Sequence, residues 1–381
     1  MSNSTSLLCS YIECRTVHPT PDYTPAISLL SKQASLYGLD THLIELVHNN
    51  PFLLVSLHGS DPSLPSIVFY SHMDVVPVES SEWMFDPFIA TLVDGKLYGR
   101  GTQDMKSIGI MHLEALGRLK QRGFQPKRTF HVLFGPDEEV GGTKGVKLLV
   151  ESSHFTTINP ILWVDEGLAS GHDDATIPIF YGERAPFWMT IAAQGKKCHG
   201  ASSPSYNAPL EVLRLANLFV SEIPVLFNGS SCNVTLMESL VSREQLNIIP
   251  DRAMIGFDIR LSPYADVEDF KRFVHDHATR ADVSLEFLRD ADPGQVSTLD
   301  SEFFKCISQT VADFGHQWKE QIFPASTDAR FVRNKGVLAY GFSWLPNHEQ
   351  LLHQKNEYIC VSTFHEGISV FEALMVKLSE L

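Results

Sequence analysis

The stretch PSIVFYSHMD (65–74) decides the fold. Ile67 to Tyr70 is an unbroken β-branched and aromatic run, bounded by Pro65 and by the polar pair Ser71-His72. Such a run reads as a strand. The strand delivers His72 to its carboxyl end, and Asp74, two residues on, can point to the same side. In open α/β sheets, binding sites gather at that end of the strands.

Working outward, AISLLSKQASLYGL (26–39) has the spacing of an amphipathic helix ending at Gly38, and FLLVSLHG (52–59) reads as a strand. Downstream come a short strand around Lys96–Tyr98, a helix over 105–123, the strand TFHVLFGP (129–136), a short helix over 145–152 and the strand PILWVDEG (160–167). Strands alternating with helices predict an α/β domain with a mostly parallel sheet. The rhythm changes after Tyr181. PFWMTIAAQG (186–195), LEVLRLANLFVSEI (210–223), CNVTLMESL (232–240), AMIGFDIRLSP (253–263), DVEDFKRFVHDHATR (266–280) and VSLEFLRD (283–290) spell β-α-β-β-α-β. This is the split, ferredoxin-like α+β unit, read as an insertion. After Pro293-Gly294 the α/β pattern resumes, with helix 302–315, strand 337–342 and a final helix from about Thr363. The expected domains are therefore 1–184, 185–293 and 294–381, which suits a chain of 381 residues.

Thirty basic against 45 acidic residues give a net charge of −15, a surface that repels phosphate backbones and argues against nucleic acid as a partner. The six cysteines are scattered with no C-x-x-C pair, as expected of free thiols in a reducing compartment. No basic segment precedes the short apolar stretch at the N-terminus, and no run reaches the length of a membrane span. A cytoplasmic protein without membrane contact is expected, with the sequons at Asn3, Asn228 and Asn233 unmodified.

Five segments carrying acids or imidazoles lie at or beyond strand ends. In SHMD, Asp74 can hold one ring nitrogen of His72. In GRGTQDMK (99–106), Asp104 precedes a helix; taken alone it reads as an N-cap, although its two oxygens could also bridge two cations. In PDEEVGG (136–142), three adjacent acids repel one another unless cations neutralise them, and the diverging Glu138 and Glu139 can serve different tasks. Asp165-Glu166 ends another apolar strand. In LLHQKNE (351–357), Glu357 stands four residues beyond His353 and could orient it. Two imidazoles with several carboxylates suit oxygen-and-nitrogen coordination of zinc.

These segments, with RTVHPTPDY, WMFDPF, YGERAPFW, NIIP, FDIR and STDARF, occur in the order found in the dizinc family of aminoacylases, acetylornithine deacetylase, succinyl-diaminopimelate desuccinylase and glutamate carboxypeptidases. The sequence resembles that family over nearly its whole length, most of all the cytosolic aminoacylase branch. The resemblance implies two Zn2+ per subunit, with Co2+ or Mn2+ as possible substitutes. His72, Asp104 and Glu166 would bind one ion, and Asp104, Glu139 and His353 the other, Asp104 bridging. It implies Glu138 as general base, Asp74 as orienter of His72, and His199 of a lid and dimerisation domain as donor to the oxyanion in a partner subunit. The KKCHGASSP string departs slightly from the family form, with Cys198 before the histidine and Gly200-Ala201 after it. Arg260, Arg330 and Asn247 would contact the substrate. The implied activity is hydrolysis of N-acyl-L-amino acids by a homodimer. Alternatives are a metallo-carboxypeptidase or dipeptidase, an acetylornithine-type deacetylase, and a catalytically silent binding protein.

Overall fold

A computed structural model describes residues 2–171, 176–239, 246–291 and 294–381. Its residue contacts divide the chain into two units. The first comprises Met1–Gly182, Val296–Phe323 and Thr327–Leu381; the second comprises Glu183–Gln295 and Pro324–Ser326. Pro293, where the sequence suggests a boundary, and Leu240, at the end of an expected strand, lie outside the described residues.

The first unit is built on an eight-stranded sheet. Its order is Asp40–Val47, Asn50–Leu57, Phe130–Gly135, Ser66–His72, Pro160–Asp165, Leu338–Gly341, Ile177–Glu183, Trp318–Phe323. The four central strands, from Phe130–Gly135 to Leu338–Gly341, are mutually parallel. The strands on one side, Asn50–Leu57 and Asp40–Val47, add antiparallel, as does Ile177–Glu183 on the other. The decisive strand is buried along its whole length. Ile67 and Phe69 enter one hydrophobic core; Val68 and Tyr70 enter the core on the opposite face. Its apolar run is unbroken because neither face meets water.

Helices Thr24–Tyr37 and Lys106–Gln121 fall close to their expected places, the former ending on Gly38 in the left-handed region. Helix Lys106–Gln121 begins at Met105, with no side-chain cap. Asp104 is therefore not a capping residue, contrary to the reading it invites in isolation.

The second unit holds a four-stranded antiparallel sheet ordered Ser231–Ser239, Arg252–Leu261, Ala185–Gln194, Ser284–Asp290. Phe187, Met189, Ile191 and Ala193 alternate into a core shared with helices Ala208–Leu226 and Val267–Arg280. Both the order and the β-α-β-β-α-β sequence of elements are those of the ferredoxin-like unit. Among the described residues, no helix is long and apolar enough to cross a membrane.

Candidate metal centre

Register places the ends of the parallel strands level, with His72 opposite Gly135 and Gly341 opposite Asp165. The chain leaving these ends carries the acids. His72 is fully buried, and its Nδ1 lies 2.9 Å from the main-chain oxygen of Asp74. A carbonyl can only accept, so Nδ1 is the donor and Nε2 of the neutral ring presents a lone pair. That lone pair faces Asp104 Oδ1 at 2.9 Å and Glu166 Oε2 at 4.0 Å. Across the site, His353 Nε2 lies 3.3 Å from Asp104 Oδ2 and 2.9 Å from Glu139 Oε2. Each oxygen of Asp104 thus addresses a different imidazole.

Two groups of three side chains converge closely enough to share a cation, with ligand atoms within 4.8 Å of one another: His72, Glu138, Glu166, and His72, Asp104, Glu139. At that separation two carboxylates repel by about 3.5 kcal/mol in an effective dielectric of about 20. The pairs Glu138–Glu166 and Asp104–Glu139 together would consume much of the stability of an ordinary domain, about 5–15 kcal/mol. A lone pair facing carboxylate oxygens is repulsive too unless a proton or a cation stands between them. The donor set of carboxylate oxygens and imidazole nitrogens fits divalent cations such as zinc.

The proton affinities record the same strain. Burial pushes Glu138 well above the carboxylate range; His72 draws it down, and Asp328, Glu139 and Asp104 push it up again. Glu166 is raised well above its range by burial and by the charges of Asp104 and Glu138, and Glu139 is raised by burial and Asp104. Burial would also raise Asp104, but hydrogen bonds with His353 and His72 outweigh it and hold Asp104 low. The bonds to Asp104 and Glu139 lift His353 to about 10. Burial opposes charge on His72, yet Asp104 and Glu166 raise it well above its ordinary value.

Three braces hold the cluster, and each differs from the expectation from sequence. Glu357, fully buried, does not orient His353. Its Oε2 accepts from Arg100 Nη1 at 2.7 Å and Gly101 N at 3.0 Å, and its Oε1 from Gln103 N at 2.6 Å and Asp104 N at 3.2 Å. It folds the loop that presents Asp104, a role four-residue spacing could not reveal because its partners lie some 250 positions away in sequence. Asp74 orients His72 through its main-chain oxygen; its carboxylate stands 3.9 Å from Nδ1. That carboxylate instead accepts from Glu138 N at 3.3 Å and Glu139 N at 3.0 Å.

The third brace is Arg330. Rather than presenting an open fork, it is buried and donates to Thr327 O at 2.6 Å and Gly141 O at 2.8 Å. It ties the STDAR segment to the acidic turn. Gly142 in that turn has φ +65°, and a Cβ there would lie 2.0 Å from Asp328 Oδ1, so the close approach requires glycine.

The remaining expected residues lie in the second unit. Strand Cys198–His199 pairs with Ile248–Ile249, and Gly200 N donates to Asn247 O at 2.5 Å, which brings His199 and the exposed Asn247 to one turn. A Cβ on Gly200 would sit 3.0 Å from the Asn247 backbone. His199 Nδ1 accepts from Ala201 N at 3.1 Å. The neutral ring therefore carries its proton on Nε2, as a donor. Arg260 holds Asp258 through Nε at 2.7 Å and Nη2 at 2.9 Å.

Sequence reasoning missed His18, whose Nε2 lies 2.8 Å from Asp74 Oδ2, and Tyr23, whose hydroxyl accepts from Asp137 N at 3.3 Å. It also missed Asp328, which accepts from Tyr70 at 2.6 Å and is raised to about 8 by burial. A tyrosine inside a fully buried strand was the available signal, since its hydroxyl must find a partner.

Residues 68–377 match the family "Peptidase family M20/M25/M40". The chain is 34% identical over 394 residues to aminoacylase-1 of Sus scrofa, covering 99% of this chain and 96% of that protein. It is 33% identical over 392 residues to aminoacylase-1 of Dictyostelium discoideum, covering 97% and 95%. A solved structure with the same fold is the M20 family metallo-carboxypeptidase Sso-CP2 from Sulfolobus solfataricus, with TM-score 0.79, 17% identity and full coverage of both chains. The chain belongs to peptidase family M20/M25/M40.

Proposed function

We propose that this protein is an aminoacylase that hydrolyses N-acyl-L-amino acids at a site holding two zinc ions bridged by Asp104. The observation that carries the reading is the divergent carboxylate of Asp104, with one oxygen toward His72 and the other toward His353. Relatives named aminoacylase-1 that span nearly the whole chain support the acyl amino acid as substrate. His72, Asp104 and Glu166 would hold one ion, and Asp104, Glu139 and His353 the other; when bound, the ions supply Lewis acidity toward water and the acyl carbonyl.

The chain's own residues do the rest. Glu138, its proton affinity raised by burial, acts as the general base. It takes a proton from the attacking water as the C–O bond forms, and delivers it to the amine nitrogen as the C–N bond breaks. His199, with its proton fixed on Nε2, donates to the developing oxyanion. Arg260 receives the substrate carboxylate on its Nη1 side, since Asp258 occupies the Nε–Nη2 edge. Asn247 adds a polar contact.

The protein works as a cytoplasmic homodimer in which the second unit serves as lid and dimerisation surface; sedimentation of the purified chain tests its mass. The mechanism is tested by Glu138→Gln. Turnover falls by about 100- to 10,000-fold while bound metal per chain stays at the wild-type value. Retained turnover would remove Glu138 from the reaction.

A further inference from the structure

The RTVHPTPDY segment (15–23) lies outside the metal cluster, yet it is stitched to the strand end that carries His72 and Asp74. Val75 N donates to Thr16 O at 3.0 Å, His18 N donates to Val75 O at 3.1 Å, and the hydroxyl of Thr16 donates to Met73 O at 2.5 Å. Val17 and Val75 form an isolated parallel bridge. These bonds fix the backbone of residues 16–18 against that of 73–75, which sets the imidazole of His18 beside the carboxylate of Asp74.

Asp74 is fully buried, and its carboxylate is shared between two sides. On one side it takes the amides of Glu138 and Glu139. On the other, His18 Nε2 stands 2.8 Å from Oδ2, with 11% of the His18 side chain exposed. A carboxylate only accepts, so Nε2 must carry a proton, which both the neutral Nε2–H tautomer and the imidazolium provide. Five residues on, Tyr23 takes the amide of Asp137 in the same acidic turn. That turn needs holding: Asp137 adopts φ +76°, a conformation costly for a residue with a side chain, and three adjacent acids repel one another.

We propose that His18 is a positioning residue of the hydrolytic site, fixing the Asp74 carboxylate from which the Glu138–Glu139 turn is hung. The inference rests on the proposed hydrolytic role of Glu138 and on Glu139 as a metal ligand. Its path is short: His18 Nε2 to Asp74, and Asp74 to the main-chain amides of the base and of that ligand. Without the His18 donor, the Asp74 carboxylate can rotate toward other partners and release one or both amides. Glutamine can place its amide nitrogen where Nε2 stands, so it should replace histidine; alanine should not.

The test compares His18→Ala and His18→Gln in the full-length protein with two readouts. The first is steady-state hydrolysis of an N-acetyl amino acid by the metal-loaded enzyme. Removing a partner that orients a metal-site residue typically lowers affinity or activity by about 10- to 100-fold. We expect a loss of that size in kcat for His18→Ala, little change in KM, and recovery to within a few-fold of wild type for His18→Gln. The second readout needs no substrate: the visible absorption of the Co2+-loaded protein. It should change in His18→Ala and return to the wild-type spectrum in His18→Gln. Wild-type kcat and spectrum in His18→Ala would overturn the proposal, and so would a His18→Gln variant as impaired as the alanine. If the wild-type protein hydrolyses no acyl amino acid, the proposed activity fails, while the cobalt spectra still decide whether His18 positions the site.

Discussion

Replacing Glu357 with glutamine keeps its shape and removes its charge, so it isolates what holds the Asp104 loop. Both carboxylate oxygens accept two donors, Arg100 Nη1 with Gly101 N, and Gln103 N with Asp104 N. A glutamine offers one oxygen, and its amide nitrogen meets two donors whichever way it flips. The ion pair is buried, with 2% and 0% of the two side chains exposed. Breaking such a pair costs about 3–5 kcal/mol, and a hydrogen bond to a charged group contributes about 1.5–3 kcal/mol. We expect Glu357→Gln to cost the first unit about 4 kcal/mol, the middle of the range for a broken buried pair. The assay is urea unfolding of the metal-free protein, which removes metal linkage. Fluorescence is followed in a Trp188→Phe background, because the other four of the five tryptophans, Trp83, Trp163, Trp318 and Trp344, belong to the first unit. A double-mutant cycle with Arg100→Met should give a coupling energy of about 1.5–3 kcal/mol. The rest of the loss comes from the main-chain amides left facing the glutamine nitrogen, Gly101 N in one flip or Gln103 N and Asp104 N in the other, and persists in the double variant. A coupling energy equal to the whole loss would show that the amides contribute nothing, and a loss below about 1 kcal/mol, the scale of an exposed ion pair, would refute the brace.

Removing the shared ligand should act differently. Asp104→Ala should abolish both metal sites while leaving the fold, so calorimetric titration with Zn2+ should show neither site; one intact site would mean that Asp104 does not bridge. For pH, the sign follows from His353. Its folded-state value of about 10 exceeds the unfolded value of about 6.5. Its contribution to the metal-free fold is therefore complete below about pH 6.5 and lost as pH rises toward 10. Metal binding needs the neutral ring, so zinc affinity should climb over the same interval. Titrations at several pH values check the slope, and a pH-independent affinity would exclude proton competition at His353.

Much of the architecture was legible because burial leaves a mark in composition. The apolar runs IVFY and PFWMTIAAQG marked strands, and both stand close to their expected places. The first helix, Asn3–Glu13, went unread although Ser2 accepts from Thr5 N as an N-cap, a signal the sequence contains. Strand Asp40–Val47 was missed because it is largely exposed, with only Ile44 fully covered, so it has little apolar pattern to show. The candidate metal ligands could be singled out because carboxylates clustered at strand ends are unusual. The bracing roles could not be read: Glu357, Asp74 and Arg330 work through main-chain groups or partners far away in sequence, and main-chain contacts leave no trace in residue type.

Metal-dependent hydrolysis of acyl amino acids is the reaction on which all the proposed residue roles depend. The most direct measurement is amino-acid release by the purified, zinc-loaded protein from a panel of N-acetyl-L-amino acids beside dipeptides, before and after chelation. Release is expected from N-acetyl-L-methionine and similar substrates, with loss on chelation and return with added zinc. Cleavage of dipeptides alone, or hydrolysis of acyl amino acids that persists after the metal is removed, would contradict it.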